Sequence, residues 1–200
     1  MRNWITIILI FGLSSVGYSQ DAKIISKVRL TIKDSLSHIL IGPEYNYLDS
    51  IDFFEITYLT LTKTNKIKAA VNAAGNSDLT KIDRLGMETH VYAELIPDYW
   101  KNKETELKKR SAVFFADKFP GNVPILLLHG NADWRVKSTN ALEMALKFEE
   151  YRIPYRLKIF EGADHRISEF EKEKDEEVTA WFDRFLKNRE PLPRMNFPKK

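Results

Sequence analysis

Two side chains with catalytic potential, Asp133 and His165, each follow a strand-like run of the chain. The apolar run 123–129 leads into a glycine turn and Asp133, and the run 155–160 leads into Glu161-Gly-Ala-Asp-His165. Parallel strands end at the same edge of a sheet, where functional groups gather. A carboxylate there orients an imidazole, whose other ring nitrogen is then a general base for a hydroxyl nucleophile. We therefore predict that Asp133 and His165 form an acid–base pair within hydrogen-bonding reach.

Other catalytic chemistries have weaker support. The remaining histidines, His38, His90 and His129, lack the spacing of metal ligands, and His129 fits a structural role beside its glycine turn. The chain has no cysteine, which excludes disulfides, cysteine-ligated zinc, iron–sulfur clusters and a thiol nucleophile. We expect neither a metal nor a cofactor, so covalent chemistry would have to use Ser or Thr.

The elements that must position this pair follow an alternating order. From Ile67 onward, strand-like apolar runs alternate with helical patterns, which predicts an α/β domain with a mostly parallel sheet and crossover helices. The predicted strands cover 67–74, 123–129 and 155–161. The predicted helices lie in a long region ending near Lys118, at 139–151 and in a final segment ending at Lys187.

Hydrophobic spacing indicates which helix faces are buried. In the helix 139–151, Leu142, Ala145 and Leu146 share one face with Glu149, and this is the predicted apolar face. The final helix carries an aromatic stripe that we interpret as core: Val178, Trp181, Phe182, Phe185 and Leu186. The earlier segment 53–62 is rich in β-branched and aromatic residues, and propensity alone predicts a strand there.

Composition and the first twenty residues bound the class of protein. Two hundred residues at 44% hydrophobic indicate one globular domain, and a net charge of +3 with interleaved signs gives no indication of a nucleic-acid partner. Arg2, the apolar run 4–13 and the small polar residues 14–19 are typical of a signal peptide. We expect cleavage near Ser19 or Gln20, export to the periplasm or medium, and no membrane attachment of the product.

Four runs of the chain resemble the carboxyl-terminal half of the catalytic domain of prolyl oligopeptidase family serine peptidases. The matching runs are Thr57-Tyr-Leu-Thr-Leu-Thr62, Ile67-Lys-Ala-Ala-Val71, Pro124-Ile-Leu-Leu-Leu-His-Gly-Asn-Ala-Asp-Trp-Arg-Val136 and Glu161-Gly-Ala-Asp-His165. The resemblance implies a partial α/β-hydrolase fold, with Asp133 as the triad acid and His165 as the triad base. It also implies a helix through 57–62, against the propensity for a strand.

The nucleophile departs from the family pattern. Members of the family carry Gly-x-Ser-x-Gly-Gly directly before that helix, with the serine six residues ahead of the position of Thr57. Here that position is Ile51, Phe53 and Phe54 replace the paired glycines, and Ser50 is displaced by one. Without glycine the run cannot form the usual strained turn. Ser50 is therefore the candidate nucleophile, and the expectation is that the nucleophile is lost or relocated.

These inferences predict four regions and leave several functions open. The regions are a signal peptide at 1–20, a divergent segment at 21–52, the hydrolase part at 53–190 and a tail at 191–200. The function expected is that of a serine peptidase or hydrolase homologue of weak or absent activity, acting if active on a peptide or a small ester or amide. The alternatives are a non-catalytic exported binding module and the product of a disrupted peptidase gene.

After the expected cleavage, the chain has too few residues before Thr57 for a complete α/β-hydrolase fold. About 37 residues separate the expected cleavage site from Thr57, which leaves out several strands of a complete hydrolase sheet. Ala22–Ile32 can supply one strand at most. The strand 67–74 is then expected near an open edge, and unless Ala22–Ile32 covers it, unpaired backbone groups there favour self-association or strand addition.

Overall fold

The computed structural model describes residues 6–11, 38–40, 56–63, 65–82 and 85–195, with the backbone alone for 6–11, 38–40 and Ile56. The sheet has the order β2-β1-β3-β4-β5 and all four pairings are parallel. Its strands are β1 (Thr6–Phe11), β2 (His38–Leu40), β3 (Ile67–Ala73), β4 (Ile125–Gly130) and β5 (Tyr155–Phe160). The predicted strands at 67–74, 123–129 and 155–161 and their parallel arrangement are confirmed.

The helices precede, connect and follow the three carboxyl-terminal strands, and those between two strands form the crossover connections of a parallel sheet. They are α1 (Ile56–Lys63), α2 (Ala93–Leu95), α3 (Tyr99–Lys109), α4 (Thr139–Glu150) and α5 (Glu171–Phe182). A π-helical turn, Glu88–Tyr92, precedes α2, and another, Asp183–Lys187, extends α5. No described helix is long and apolar enough to cross a membrane.

Two helical layers cover the sheet on opposite faces. Along β4, Ile125 and Leu127 pack into a cluster with residues of α1 and α4, whereas Leu126 and Leu128 pack into a cluster with α5. A strand alternates its side chains between faces, so β4 is buried on both sides, as is typical of a parallel sheet. The aromatic stripe of the final helix is buried in the second cluster, which confirms its prediction as core.

The predicted buried face of α4 is wrong for Leu142 and Leu146, whereas Ala145 is buried as predicted. Leu142 and Leu146 are 46% and 69% exposed, while Met144 and Phe148 are fully buried. The buried face carries Ala141, Met144, Ala145 and Phe148, which also follow the i, i+3, i+4, i+7 spacing. Asn140 is buried beside this face, and its side-chain oxygen accepts hydrogen bonds from the backbone N–H groups of Ser77 (3.0 Å) and Asp78 (3.2 Å). The helix thus has two apolar stripes, and the one that carries Met144 and Phe148 is buried.

The long helical region before Lys118 is interrupted, contrary to the prediction. Ile96 precedes Pro97 and has extended backbone (φ −101°, ψ 115°), as a residue before proline prefers. Asp98 then adopts a left-handed conformation with φ 54°, and α3 begins after it. The segment nevertheless packs around its own small core of Leu79, Tyr92, Ile96, Tyr99 and Leu107.

The expected open edge at β3 is occupied in the full-length chain. β1 pairs with β3 over the whole register from Thr6 opposite Ile67 to Phe11 opposite Ala73. β1 lies within the predicted signal peptide, so its cleavage would remove this neighbour. The prediction of an exposed β3 edge concerns the chain after cleavage, and for a chain starting at Gln20 it stays a prediction. Ala22–Ile32 lies outside the described residues.

Candidate functional site

The acid loop, residues 131–136, begins directly after β4, and its backbone is hydrogen-bonded to the side chain of its own Asp133. Asp133 is 6% exposed. Its Oδ1 accepts hydrogen bonds from the backbone N–H groups of Arg135 (2.8 Å) and Val136 (2.9 Å). An aspartate that bonds the backbone two and three residues onward stabilises a tight turn and fixes its own side chain. The other carboxylate oxygen, Oδ2, remains available to side chains.

The base loop begins directly after β5 and has a similar construction. Gly162 has a φ of +73°, which favours glycine, and Ile167 has a φ of 56°. Asp164 holds the intervening turn, since its Oδ1 accepts hydrogen bonds from the backbone N–H groups of Arg166 (2.9 Å) and Ser168 (3.1 Å). His165 therefore projects from a loop whose backbone is internally bonded.

Backbone contacts join the two loops beyond the ends of their strands. The N–H of Asn131 donates to the carbonyl of Phe160 (3.0 Å), and the N–H of Ala132 donates to the carbonyl of Ala163 (3.0 Å). The N–H of Gly162 donates in turn to the side-chain oxygen of Asn131 (2.7 Å). These contacts continue the β4–β5 pairing into the loops, so the relative position of Asp133 and His165 follows from strand pairing.

Gly130 is required for this close approach. A Cβ at this position would lie 2.3 Å from the carbonyl oxygen of Ala163 and 2.5 Å from that of Asp164, distances that real Cβ atoms essentially never show. Both contacts are with backbone, which cannot rotate away as a side chain can. The glycine of the His-Gly pair therefore lets the base loop lie directly against the end of β4.

Asp133 and His165 are in direct contact. The Nδ1 of His165 lies 2.7 Å from Oδ2 of Asp133, which confirms the predicted hydrogen-bonding reach. Because a carboxylate oxygen only accepts, Nδ1–H donates, and Nε2 is left as the proton-accepting nitrogen when the ring is neutral. None of the described residues forms a hydrogen bond with Nε2, and Ser50 lies outside the described residues.

The Asp133 carboxylate is stabilised as an anion. Its burial acts to raise its pKa, but hydrogen bonds from His129, His165 and the backbone N–H of Val136 outweigh burial and hold the pKa well below its ordinary value. Asp133 therefore carries a negative charge at neutral pH and can stabilise positive charge on His165.

His129 is a site residue that sequence reasoning undervalued. Its side chain is buried, and its Nε2 lies 3.2 Å from Oδ2 of Asp133 and 2.8 Å from the carbonyl oxygen of Val136. His129 and Asp133 are four residues apart in the sequence. Their contact can be predicted only if the chain is known to turn at the glycine between them. Within the described ranges, no group of three or more histidine, cysteine or acidic side chains is arranged to hold a metal ion.

The family comparison agrees with this architecture. The model of the prolyl oligopeptidase family, Peptidase_S9, matches residues 56–189, which is more than half of the chain. The chain belongs to the prolyl oligopeptidase family. The match includes β3, β4 and β5 and both loops of the site, and the fold is α/β-hydrolase-like. No curated protein matches the chain.

Solved structures of peptidases are similar over 65–70% of the chain. A puromycin-hydrolyzing peptidase of Mycobacterium tuberculosis is 25% identical with a TM-score of 0.55. The similarity covers 65% of this chain and 20% of the peptidase chain. An acylaminoacyl peptidase in complex with a chloromethyl ketone is 20% identical (TM-score 0.59), with 70% and 23% covered. The Pyrococcus horikoshii acylaminoacyl peptidase is 23% identical (TM-score 0.59), with 70% and 24% covered. The chain thus spans about a fifth to a quarter of the length of these relatives.

Proposed function

We propose that Asp133 and His165 are the acid and base of a serine-peptidase-type site directed at peptides or small esters and amides. The observation that carries the proposal is the 2.7 Å contact between Nδ1 of His165 and the buried carboxylate of Asp133. Membership of the prolyl oligopeptidase family supports it. The loops that hold the pair are bonded to each other through their backbones, so the pair is assembled before any substrate binds.

The pair has a defined part in acyl transfer. When a hydroxyl oxygen attacks a carbonyl carbon, its proton passes to Nε2 of His165, and the resulting imidazolium is stabilised by the Asp133 anion. The same nitrogen then delivers that proton to the leaving amine or alkoxide as the carbonyl–heteroatom bond breaks. A water molecule cleaves the acyl ester by the same route and regenerates the hydroxyl.

The hydroxyl itself is the element that this chain does not provide in the family's usual form. Ser50 is the candidate, but the run from Leu48 to Glu55 contains no glycine, which the strained turn of the usual elbow needs. We infer that the nucleophile is lost or relocated and that hydrolysis is weak or absent. His165 and Asp133 would then be an intact acid–base pair without its activated partner.

Hydrolysis assays on a panel of chromogenic peptide amides and small esters test this proposal. We expect rates for the parent protein at or near the uncatalysed background, with no difference between the parent and its Ser50→Ala and His165→Ala variants. A parent rate well above background that falls at least a hundredfold in both variants would make the protein a working enzyme with Ser50 as nucleophile.

A second candidate function is an exported binding module that uses the crevice for a ligand. Trp134, directly after Asp133, is 68% exposed, and the guanidinium carbon of Arg135 lies 5.1 Å from the centre of its ring. An exposed aromatic residue with a cation over its ring, directly next to Asp133, favours ligand contact. A third candidate, the product of a disrupted gene, would be supported by an out-of-frame Gly-x-Ser-x-Gly-Gly upstream of the Thr57 codon.

A further inference from the structure

His129 occupies a position from which it touches both ends of the acid loop. It is the penultimate residue of β4 and is 1% exposed. Its Nε2 lies 2.8 Å from the carbonyl oxygen of Val136 and 3.2 Å from Oδ2 of Asp133. A buried imidazole that reaches the catalytic carboxylate from the strand side is not needed to fill the core, because an apolar ring would occupy the same volume.

The chemistry of its neighbours determines where His129 carries a proton. The carbonyl oxygen of Val136 and the carboxylate oxygen of Asp133 are both acceptors, so Nε2 must carry the hydrogen. That single N–H is shared between the two oxygens. The ring therefore ties the last residue of the turn to its first, and the turn is the one that presents Asp133 to His165.

The shared hydrogen bond falls on the oxygen that His165 uses. Oδ1 of Asp133 is already held by the backbone N–H groups of Arg135 and Val136, while Oδ2 receives Nδ1–H of His165 and Nε2–H of His129. The carboxylate orientation that accepts the hydrogen bond of His165 is therefore the one in which Oδ2 also lies against Nε2 of His129. The depressed pKa of Asp133, to which His129 contributes, agrees with this arrangement.

We propose that His129 is a positioning residue that holds the Asp133 carboxylate in the orientation needed to accept the Nδ1–H hydrogen bond of His165. The role rests on the proposed function of Asp133 and His165 as an acid–base pair. It requires Nε2–H of His129 as a donor, and it does not require contact between His129 and a substrate.

NMR spectroscopy of the full chain with ¹⁵N-labelled histidine tests this proposal without depending on turnover. In the parent protein we expect the ¹⁵N shifts of His129 to report the Nε2–H tautomer, and we expect a downfield Nδ1–H resonance of His165 that exchanges slowly with water. An Nδ1–H tautomer at His129 would overturn the proposal before any variant is made.

Three variants separate the donor from the shape of the ring. His129→Phe keeps the ring without a donor, and His129→Asn places an amide donor too close to the backbone to reach Oδ2; both should lose or broaden the His165 Nδ1–H resonance. His129→Gln carries an amide nitrogen near the position of Nε2 and should restore it. If His129→Phe does not fold, His129→Asn decides.

A His165 resonance unchanged in a folded donor-free variant would overturn the positioning role, as would its loss in a folded His129→Gln protein. Measurable hydrolysis dependent on Ser50 would instead contradict the proposed inactivity and leave this result in place. The two proposals therefore fail through different measurements.

Discussion

The close contacts of Gly130 give a specific prediction for the free energy of unfolding of the Gly130→Ala variant. The added Cβ would lie 2.3 Å and 2.5 Å from two backbone carbonyl oxygens of the base loop, whereas ordinary contacts lie at 3.4–4 Å. The loop must therefore move by about 1 Å, from 2.3 Å to at least 3.4 Å. One of these oxygens, that of Ala163, accepts the N–H of Ala132 at 3.0 Å, and this hydrogen bond would be lost.

The expected cost adds two effects. Forcing a methyl group into a packed site costs about 1–3 kcal/mol, and losing one buried hydrogen bond costs about 1 kcal/mol. We therefore expect the free energy of unfolding to fall by about 2–4 kcal/mol. For a chain of this length the melting temperature should fall by about 5–15 °C.

Urea unfolding followed by tryptophan fluorescence measures this change. Gly121→Ala is the matched control, because a Cβ there meets nothing within 4 Å, and its unfolding free energy should change by less than about 1 kcal/mol. If Gly130→Ala unfolds like the parent and like Gly121→Ala, the base loop does not lie against the end of β4 and the assembly argued for the site is wrong.

Three further predictions use other parts of the molecule. Phe148→Ala should lower the free energy of unfolding by about 3–5 kcal/mol, while Leu146→Ala, on the exposed face of α4, should change it by less than about 0.5 kcal/mol; equal effects in urea titrations would contradict the described face. Asp133→Asn should lower the free energy of unfolding by about 1–3 kcal/mol near pH 7. Because the folded-state pKa of Asp133 is lowered, this difference from the parent should shrink as pH falls below about 4. A difference independent of pH down to pH 2 would be inconsistent with an ionised Asp133. A chain starting at Gln20 lacks β1 and should self-associate through β3 in size-exclusion chromatography with light scattering, whereas the full-length chain should be monomeric; a monomeric, cooperatively unfolding shortened chain would show that the edge is closed in another way.

Strand pairing explains why much of the site was accessible from sequence. β4 and β5 are apolar runs bounded by turn residues, and parallel strands must end at one edge of the sheet. Asp133 and His165 each follow such a strand within a few residues, so their contact follows from topology. No knowledge of side-chain packing was needed to predict it.

The errors have physical causes in longer-range contacts. Propensity predicted a strand where α1 lies, and only the family resemblance predicted the helix. The β-branched residues are tolerated in this helix because its inner face, which carries Tyr58 and Leu61, is buried. On α4 the buried stripe of Met144 and Phe148 competes with the leucine pair, and Asn140 beside the buried stripe bonds Ser77 and Asp78, more than sixty residues away in the chain. Local hydrophobic spacing fits both stripes, so it does not decide which of them is buried.

His129 was undervalued for a related reason. Its position on a buried strand indicated a structural role, which many buried histidines have. Its contact with Asp133 depends on the tight turn at Gly130 that reverses the chain toward β4. A single strand-end histidine becomes informative only once the turn that follows it is known.

Labelling with a fluorophosphonate probe, followed by peptide mapping of any modified serine, tests most directly whether the Asp133–His165 pair activates a nucleophile. Such probes react with a serine oxygen that a neighbouring base activates. We expect no stoichiometric labelling of the folded parent protein at any serine. Stoichiometric labelling of Ser50 that disappears in both Ser50→Ala and His165→Ala would contradict the account and establish an active serine hydrolase.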